Sequence, residues 1–147
     1  MRLAHHLSIK NGHLHINGLD CVALAGQYGT PLYVTSQDRV VEQFESYKKA
    51  LGSRYPKVQV LFAAKANGNL ALMRALAQQG AGADVLSSGE LHLALEAGMA
   101  PEKLLFNGSS KTPADLQLAV EKGVKVSLDS LDELYQLNAA AAAAGRT

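Results

Sequence analysis

From Val58 onward the chain repeats one unit, an apolar run followed by a turn and a helix with well-marked ends, and few folds accommodate that rhythm. The apolar runs begin near Val58, Ala83, Leu104 and Val124, and helices are expected over residues 70–79, 89–97, 113–122 and 131–144. The helix starts carry groups that satisfy orphan backbone N–H donors. Asn69 is an expected N-cap, and Thr112-Pro113 joins an N-cap to proline at the first helical position. Ser87-Ser88-Gly89-Glu90 and Ser130-Leu131-Asp132-Glu133 are capping-box patterns. Gly80, Gly98, Gly123 and Gly145 stand where helix-ending glycines belong. Strand–helix units of about 20–25 residues predict a parallel sheet with right-handed crossovers. An open doubly wound sheet and part of a (β/α)8 barrel both satisfy the pattern. A barrel needs about 250 residues. With 147 residues, this chain would stop about halfway round, with unpartnered strand edges.

The residues before this rhythm read differently. Leu7-Ser8-Ile9-Lys10 and His13-Leu14-His15-Ile16 alternate apolar and polar residues around Asn11-Gly12, which predicts a hairpin. Asp20 is expected to cap a short helix closed by Tyr28-Gly29, and Leu32-Tyr33-Val34 to form a short strand. Ser36 caps a longer helix with an apolar stripe of Val40, Val41, Phe44, Tyr47, the Lys48 stem and Leu51.

Composition narrows the function classes. A formal net charge of +1, scattered lysines and arginines, and 5% aromatic residues provide no footprint for nucleic acid. No apolar run approaches the roughly 20 residues of a membrane helix. One cysteine, Cys21, excludes an intramolecular disulfide framework and fits a reducing cytoplasm. His13 and His15 share one face of a strand, but no third ligand at a telling spacing joins them, so a surface strand is the simpler reading.

In either parallel architecture ligands sit at the carboxyl ends of the strands. That rule selects Lys65 and Asn67 after the first strand, and Asp84, Ser87, Ser88 and Glu90 after the second. It selects Asn107 through Lys111 after the third, and Asp129 with Ser130 after the fourth. Lys65 is the sharpest candidate, a lone lysine ending the run Val58 to Ala64 among small residues. Low-dielectric walls would disfavour its ammonium form, and a neutral amine attacks aldehydes to form a Schiff base. The bland alternative is a lysine whose stem packs while its head reaches water. Asp84 is placed to contact Lys65 across neighbouring strands, or else serves a structural ion pair. Glu90 and Asp129 read equally well as helix-start residues. The segment Asn107 to Thr112 fails as a phosphate loop, because Ser110 stands where glycine is required.

Taken together, four motifs resemble the ornithine/diaminopimelate/arginine decarboxylases of the alanine-racemase-like fold. Phe62-Ala63-Ala64-Lys65-Ala66-Asn67 is similar to that family's pyridoxal-phosphate attachment motif. The segments 82–91, 106–112 and 126–130 are similar to its next three strand motifs, and the amino-terminal hairpin with 29–34 to its diaminopimelate branch. The resemblance implies an α/β fold, the amino-terminal part of a pyridoxal-phosphate-binding (β/α)8 TIM-type barrel. It implies truncation after about four barrel strands, with residues 1–30 belonging to a second, β domain and 31–147 to the barrel. It further implies decarboxylation of meso-2,6-diaminopimelate to L-lysine with pyridoxal 5'-phosphate, in a cytoplasmic homodimer. An enzyme of the same fold acting on another amino acid, or a non-catalytic carrier of the cofactor, is the alternative. By the same resemblance Lys65 is the catalytic and cofactor-attaching residue. Ala63 and Asp84 also contact the cofactor, and Asn67 and Glu90 lie in the vicinity of cofactor or substrate. Gly68 and Ser88 depart from the family pattern, which has serine and glycine there. The family's glycine-rich phosphate loop and the acidic partner of the pyridine nitrogen have no match here, so the chain is expected to be an amino-terminal fragment, inactive alone.

Overall fold

Two Asn-Gly pairs organise the first residues of the protein, whose computed structural model describes residues 4–146. Strands β1 (Leu7–Lys10) and β2 (His13–Ile16) pair antiparallel, and Lys10 faces His13 across a turn in which Asn11 and Gly12 take φ of 52° and 79°. Both angles lie in the left-handed region that a two-residue hairpin turn demands. Asn17 and Gly18 repeat that geometry at φ 48° and 82° and add β3 (Leu19–Asp20) beside β2. The expected hairpin is therefore a three-stranded meander. A two-residue strand is too short for alternation to reveal, although its turn pair was visible.

Asp20 closes this sheet onto α1 (Cys21–Tyr28). Its Oδ1 accepts the amides of Val22 and Ala23 at 2.8 and 3.4 Å, while Oδ2 meets His13 Nδ1 at 2.8 Å. The His13 bond outweighs partial desolvation and, with the two amides, holds the Asp20 carboxyl below its ordinary value. His13 is thus committed to Asp20, and among the described residues no group of three His, Cys, Asp or Glu could hold a metal ion. Leu32-Tyr33-Val34 pairs with no strand, and Tyr33 is 97% exposed. The expected strand is therefore not formed among the described residues, because alternation supplies no neighbour to bond.

The chain divides into two compact units, Met1–Glu42 and Gln43–Thr147, and the division falls inside α2 (Gln37–Gly52). The Ser36 hydroxyl accepts the Arg39 amide at 3.2 Å and starts that helix as expected. Its apolar stripe is buried only at Phe44; Tyr47 and Leu51 are 63% and 50% exposed. Among the described residues no helix is long and apolar enough to cross a membrane.

The second unit carries the repeating pattern. Strands β4 (Leu61–Ala63), β5 (Gly82–Val85), β6 (Leu104–Phe106) and β7 (Lys125–Val126) form a parallel sheet in the order β4-β5-β6-β7. Helices α3 (Leu70–Gln78), α4 (Ser88–Glu96) and α5 (Pro113–Lys122) connect them, and α6 (Leu131–Ala143) follows β7. The first strand starts at Leu61 rather than Val58, although the Val60 carbonyl still accepts the Gly82 amide at 3.3 Å.

Strand order separates the two architectures left open by the sequence. A doubly wound sheet reverses direction at a switch point, whereas barrel strands follow one another in chain order. Burial agrees. Ala83, Val85, Leu104 and Phe106 lie on one face and are essentially inaccessible beneath Met73, Leu91 and Leu116 of the helices. Ala63, Asp84 and Leu105, aligned by register on the other face, are only half-buried. One face covered by helices and one facing inward describes part of a (β/α)8 barrel. Close packing within it is tight at Gly82, where a Cβ would lie 1.9 Å from the Lys103 carbonyl oxygen.

Candidate active site

The carboxyl end of the sheet is built from capped helix starts, and each cap fixes the loop before it. After β4 the chain makes one 3-10 turn, Ala64–Ala66. Ala64 is 1% exposed and anchors that turn, and its carbonyl accepts the Asn67 amide at 3.2 Å. Asn67 Oδ1 accepts the Asn69 amide at 3.0 Å, and Asn69 Oδ1 accepts the amides of Ala71 and Leu72 at 2.9 and 3.4 Å. The expected cap at Asn69 is present. Asn67 thus shapes the segment between Lys65 and α3.

Lys65 is exposed. The low-dielectric enclosure expected around it is not formed by the described residues. Its neighbours Ala63, Ala66 and Gly68 are small, and the inner face of a four-stranded sheet is open. The exposure of Lys65 is compatible with the bland reading, in which its head reaches water, and Ala64 beside it takes the buried position. Gly68 needs no glycine: a Cβ there would lie 3.7 Å from Leu93 Cδ1, an ordinary contact.

Asp84 stands beside Ala63 in the parallel register, half-buried on the inner face. Its Oδ1 is buried and has no hydrogen-bond partner among the described residues. A buried carboxylate oxygen normally has one, so Asp84 is a group awaiting a partner. No ion pair within 4.0 Å joins it to Lys65, contrary to the contact considered from the sequence.

The loops after β5 and β7 share one device. Ser87 Oγ and Ser130 Oγ accept the amides of Glu90 and Glu133, each at 3.2 Å. The two glutamates then reach back past the N-cap, Glu90 Oε2 to the Leu86 amide and Glu133 Oε2 to the Asp129 amide, each at 2.8 Å. These were expected to be capping boxes, which close on the N-cap amide instead. The shorter Asp115 side chain stops at that amide, accepting Thr112 N at 2.9 Å, and makes the reciprocal box at α5. Burial pushes the Asp115 carboxyl up, but the Thr112 amide and hydroxyl and the Ser88 hydroxyl prevail and hold it below its ordinary value.

The sequence reading missed one pair here. The Lys111 side chain is 0% exposed and meets Glu133 Oε1 at 3.0 Å, and its Nζ also donates to the Gly108 carbonyl. Lys111 was selected among the residues after the third strand and weighed in the rejected phosphate loop, but its burial and its counter-ion were not foreseen. Glu133 was read as a cap alone. A lysine in one strand-end loop and a cap glutamate in the next were the available signal. Ser109, Ser110 and Asp129 are exposed, while Asn107 Oδ1 accepts the Gly108 amide at 2.9 Å.

Residues 37–145 match the family described as pyridoxal-dependent decarboxylase, pyridoxal binding domain. The chain belongs to this family. It is 42% identical over 127 residues to diaminopimelate decarboxylase of Methanothermobacter thermautotrophicus, covering 86% of this chain and 30% of that protein. It is 43% identical over 139 residues to the Archaeoglobus fulgidus protein of the same name, covering 95% and 32%. The crystal structure of diaminopimelate decarboxylase from Methanocaldococcus jannaschii in complex with L-lysine superposes with a TM-score of 0.90 at 36% identity, covering 97% of this chain and 34% of that one. The chain therefore spans about a third of the length of the relatives it matches.

Proposed function

We propose that this chain supplies the lysine-bearing part of a decarboxylase that converts meso-2,6-diaminopimelate to L-lysine with pyridoxal 5'-phosphate. The observation that carries the reading is an accessible primary amine, Lys65, in the turn after a half-buried parallel strand whose Ala63 stands in register with Asp84, a carboxylate whose Oδ1 lacks a partner among the described residues. Those features fit the cofactor. Lys65 would hold its aldehyde covalently, Ala63 and the small residues after Lys65 leave room for a flat ring, and Asp84 offers an acceptor for a cationic group of cofactor or substrate. When bound, the cofactor serves as the electron sink for the charge left as carbon dioxide departs. Lys65 would be the residue that attaches the cofactor, a role that needs an amine free of a permanent ion pair. Asn67 fixes the turn that carries Lys65. Glu90 is anchored through the Leu86 amide, two residues after Asp84.

The choice of diaminopimelate over another amino acid is supported by the two relatives at 42% and 43% identity, both diaminopimelate decarboxylases. On this reading residues 1–30 contribute to a β domain, 31–147 to the barrel, a second copy of the chain is the partner, and the compartment is the cytoplasm. A free thiol at Cys21 accords with that compartment.

A chimera tests the proposal: residues 37–145 replace the matching segment of the Methanothermobacter enzyme, and carbon dioxide and lysine are measured with meso-diaminopimelate. Lysine formation that disappears with Lys65→Ala is expected. A chimera that takes up pyridoxal phosphate yet releases no carbon dioxide would favour a non-catalytic carrier instead.

A further inference from the structure

We propose that the buried Lys111–Glu133 pair is a positioning device for the acidic rim that faces the pyridoxal site, acting on Asp84 and Glu90 through Gly108 and Leu86. The inference rests on the pyridoxal reading above and extends it to residues outside the attachment motif.

The path is made of direct contacts. Glu133 is fixed at the start of α6 by the Ser130 hydroxyl and by the Asp129 amide, and its remaining oxygen holds Lys111 at 3.0 Å. Lys111 Nζ holds the Gly108 carbonyl. Gly108, at φ 118°, lies against Leu86: a Cβ there would sit 3.2 Å from Leu86 Cδ2 and 3.5 Å from its carbonyl oxygen. The Asn107 amide donates to the Val85 carbonyl at 2.8 Å, so the same loop is bonded to the residue after Asp84. Leu86 in turn donates its amide to Glu90 Oε2. Three successive strand-end loops are thereby fixed in one line that ends on Asp84 and Glu90.

The chemistry of the pair suits positioning better than simple stabilisation. Burying two charges carries a desolvation penalty that well-packed apolar residues avoid, so an ion pair is an inefficient way to gain stability. It is directional, however. Lys111 can satisfy Gly108 and Glu133 together only with the loop in one place, and a methionine of similar length would fill the space without that constraint.

The test compares the unaltered chain with Lys111→Met and with Lys111→Met/Glu133→Gln, in which glutamine keeps an acceptor for the Asp129 amide and no charge is left unpaired. Each protein is treated with pyridoxal phosphate, reduced with borohydride, and digested, and labelling of Lys65 is expressed relative to the exposed Lys57. Hydrogen exchange at the Leu86 amide and the melting temperature are measured in parallel. The expected result is a fall in the Lys65 to Lys57 ratio of about fivefold or more, the lower end of typical coupling between sites. Leu86 exchange should quicken, while the double variant melts close to the unaltered chain. If Lys111→Met alone does not fold, the double variant carries the comparison. An unchanged ratio and unchanged Leu86 exchange in a folded double variant would reduce the pair to a structural role and overturn the inference. A ratio near one already in the unaltered chain would show that this part alone does not set Lys65 apart and would overturn the inference, while lysine formation by the chimera remains the separate test of the pyridoxal reading.

Discussion

Lys65 and Lys111 stand in loops at the same carboxyl end of one parallel sheet, and their surroundings are opposite. Lys65 is exposed, lies in a turn pinned by buried Ala64, and makes no ion pair among the described residues. Lys111 is sealed from solvent, bonded to Gly108 and paired with Glu133. A charged amine that is neutralised by a fixed carboxylate has a structural task already. An amine left accessible beside a carboxylate oxygen without a partner is available for chemistry. The contrast separates the residue that would hold a cofactor from the residue that holds the scaffold.

The largest effect expected from this contrast is functional. Lys65→Ala should abolish cofactor attachment and lysine formation in the chimera while leaving the melting temperature nearly unchanged, since exposed substitutions usually shift stability by about 0.5 kcal/mol or less. A marked drop in melting temperature would show that Lys65 is structural after all. Lys111→Met should do the reverse to stability. Removing one partner of a buried pair costs about 3–5 kcal/mol, because the other charge stays buried and uncompensated. Urea unfolding of the single variant checks this, and a loss below about 1 kcal/mol would mean that the pair is solvated.

A smaller effect belongs to the cap that borders the Lys111 loop. Asp115 has a carboxyl held below its ordinary 3.8, so its ionised form is favoured by folding. The stability it adds is present above that value and is lost as pH falls through the lowered one. Thr112→Ala should cost about 1 kcal/mol near neutrality. Asp115→Asn should flatten the stability profile below pH 3.8, which melting curves between neutrality and strong acid would reveal. The smallest effect is expected beside Lys65. Gly68→Ser adds a side chain at a position with room for a Cβ, and should change stability by about 0.5 kcal/mol or less.

The helix framework of the second unit was legible because its signals are local. Asn69, Thr112, Ser87 and Ser130 cap the helices they were expected to cap, since a short polar side chain before an apolar helix has one efficient use. Lys65 and Asp84 were legible as candidates because a charged residue ending an apolar strand is rare. What escaped depends on partners distant in sequence. Nothing local to Lys111 announces Glu133, 22 positions later, as its counter-ion. Leu32 to Val34 alternates like a strand but has no strand to join. Glu90 and Glu133 bond one residue further back than a capping box requires, a distinction of side-chain reach rather than residue pattern. The openness around Lys65 was hidden for the same reason, since enclosure is a property of surrounding chain and not of the motif.

The most direct measurement is trapping of the protein with pyridoxal phosphate and borohydride, followed by mass mapping of all nine lysines. The account predicts dominant modification at Lys65 and none at Lys111. Label spread evenly over the exposed lysines, or found at Lys111, would contradict it.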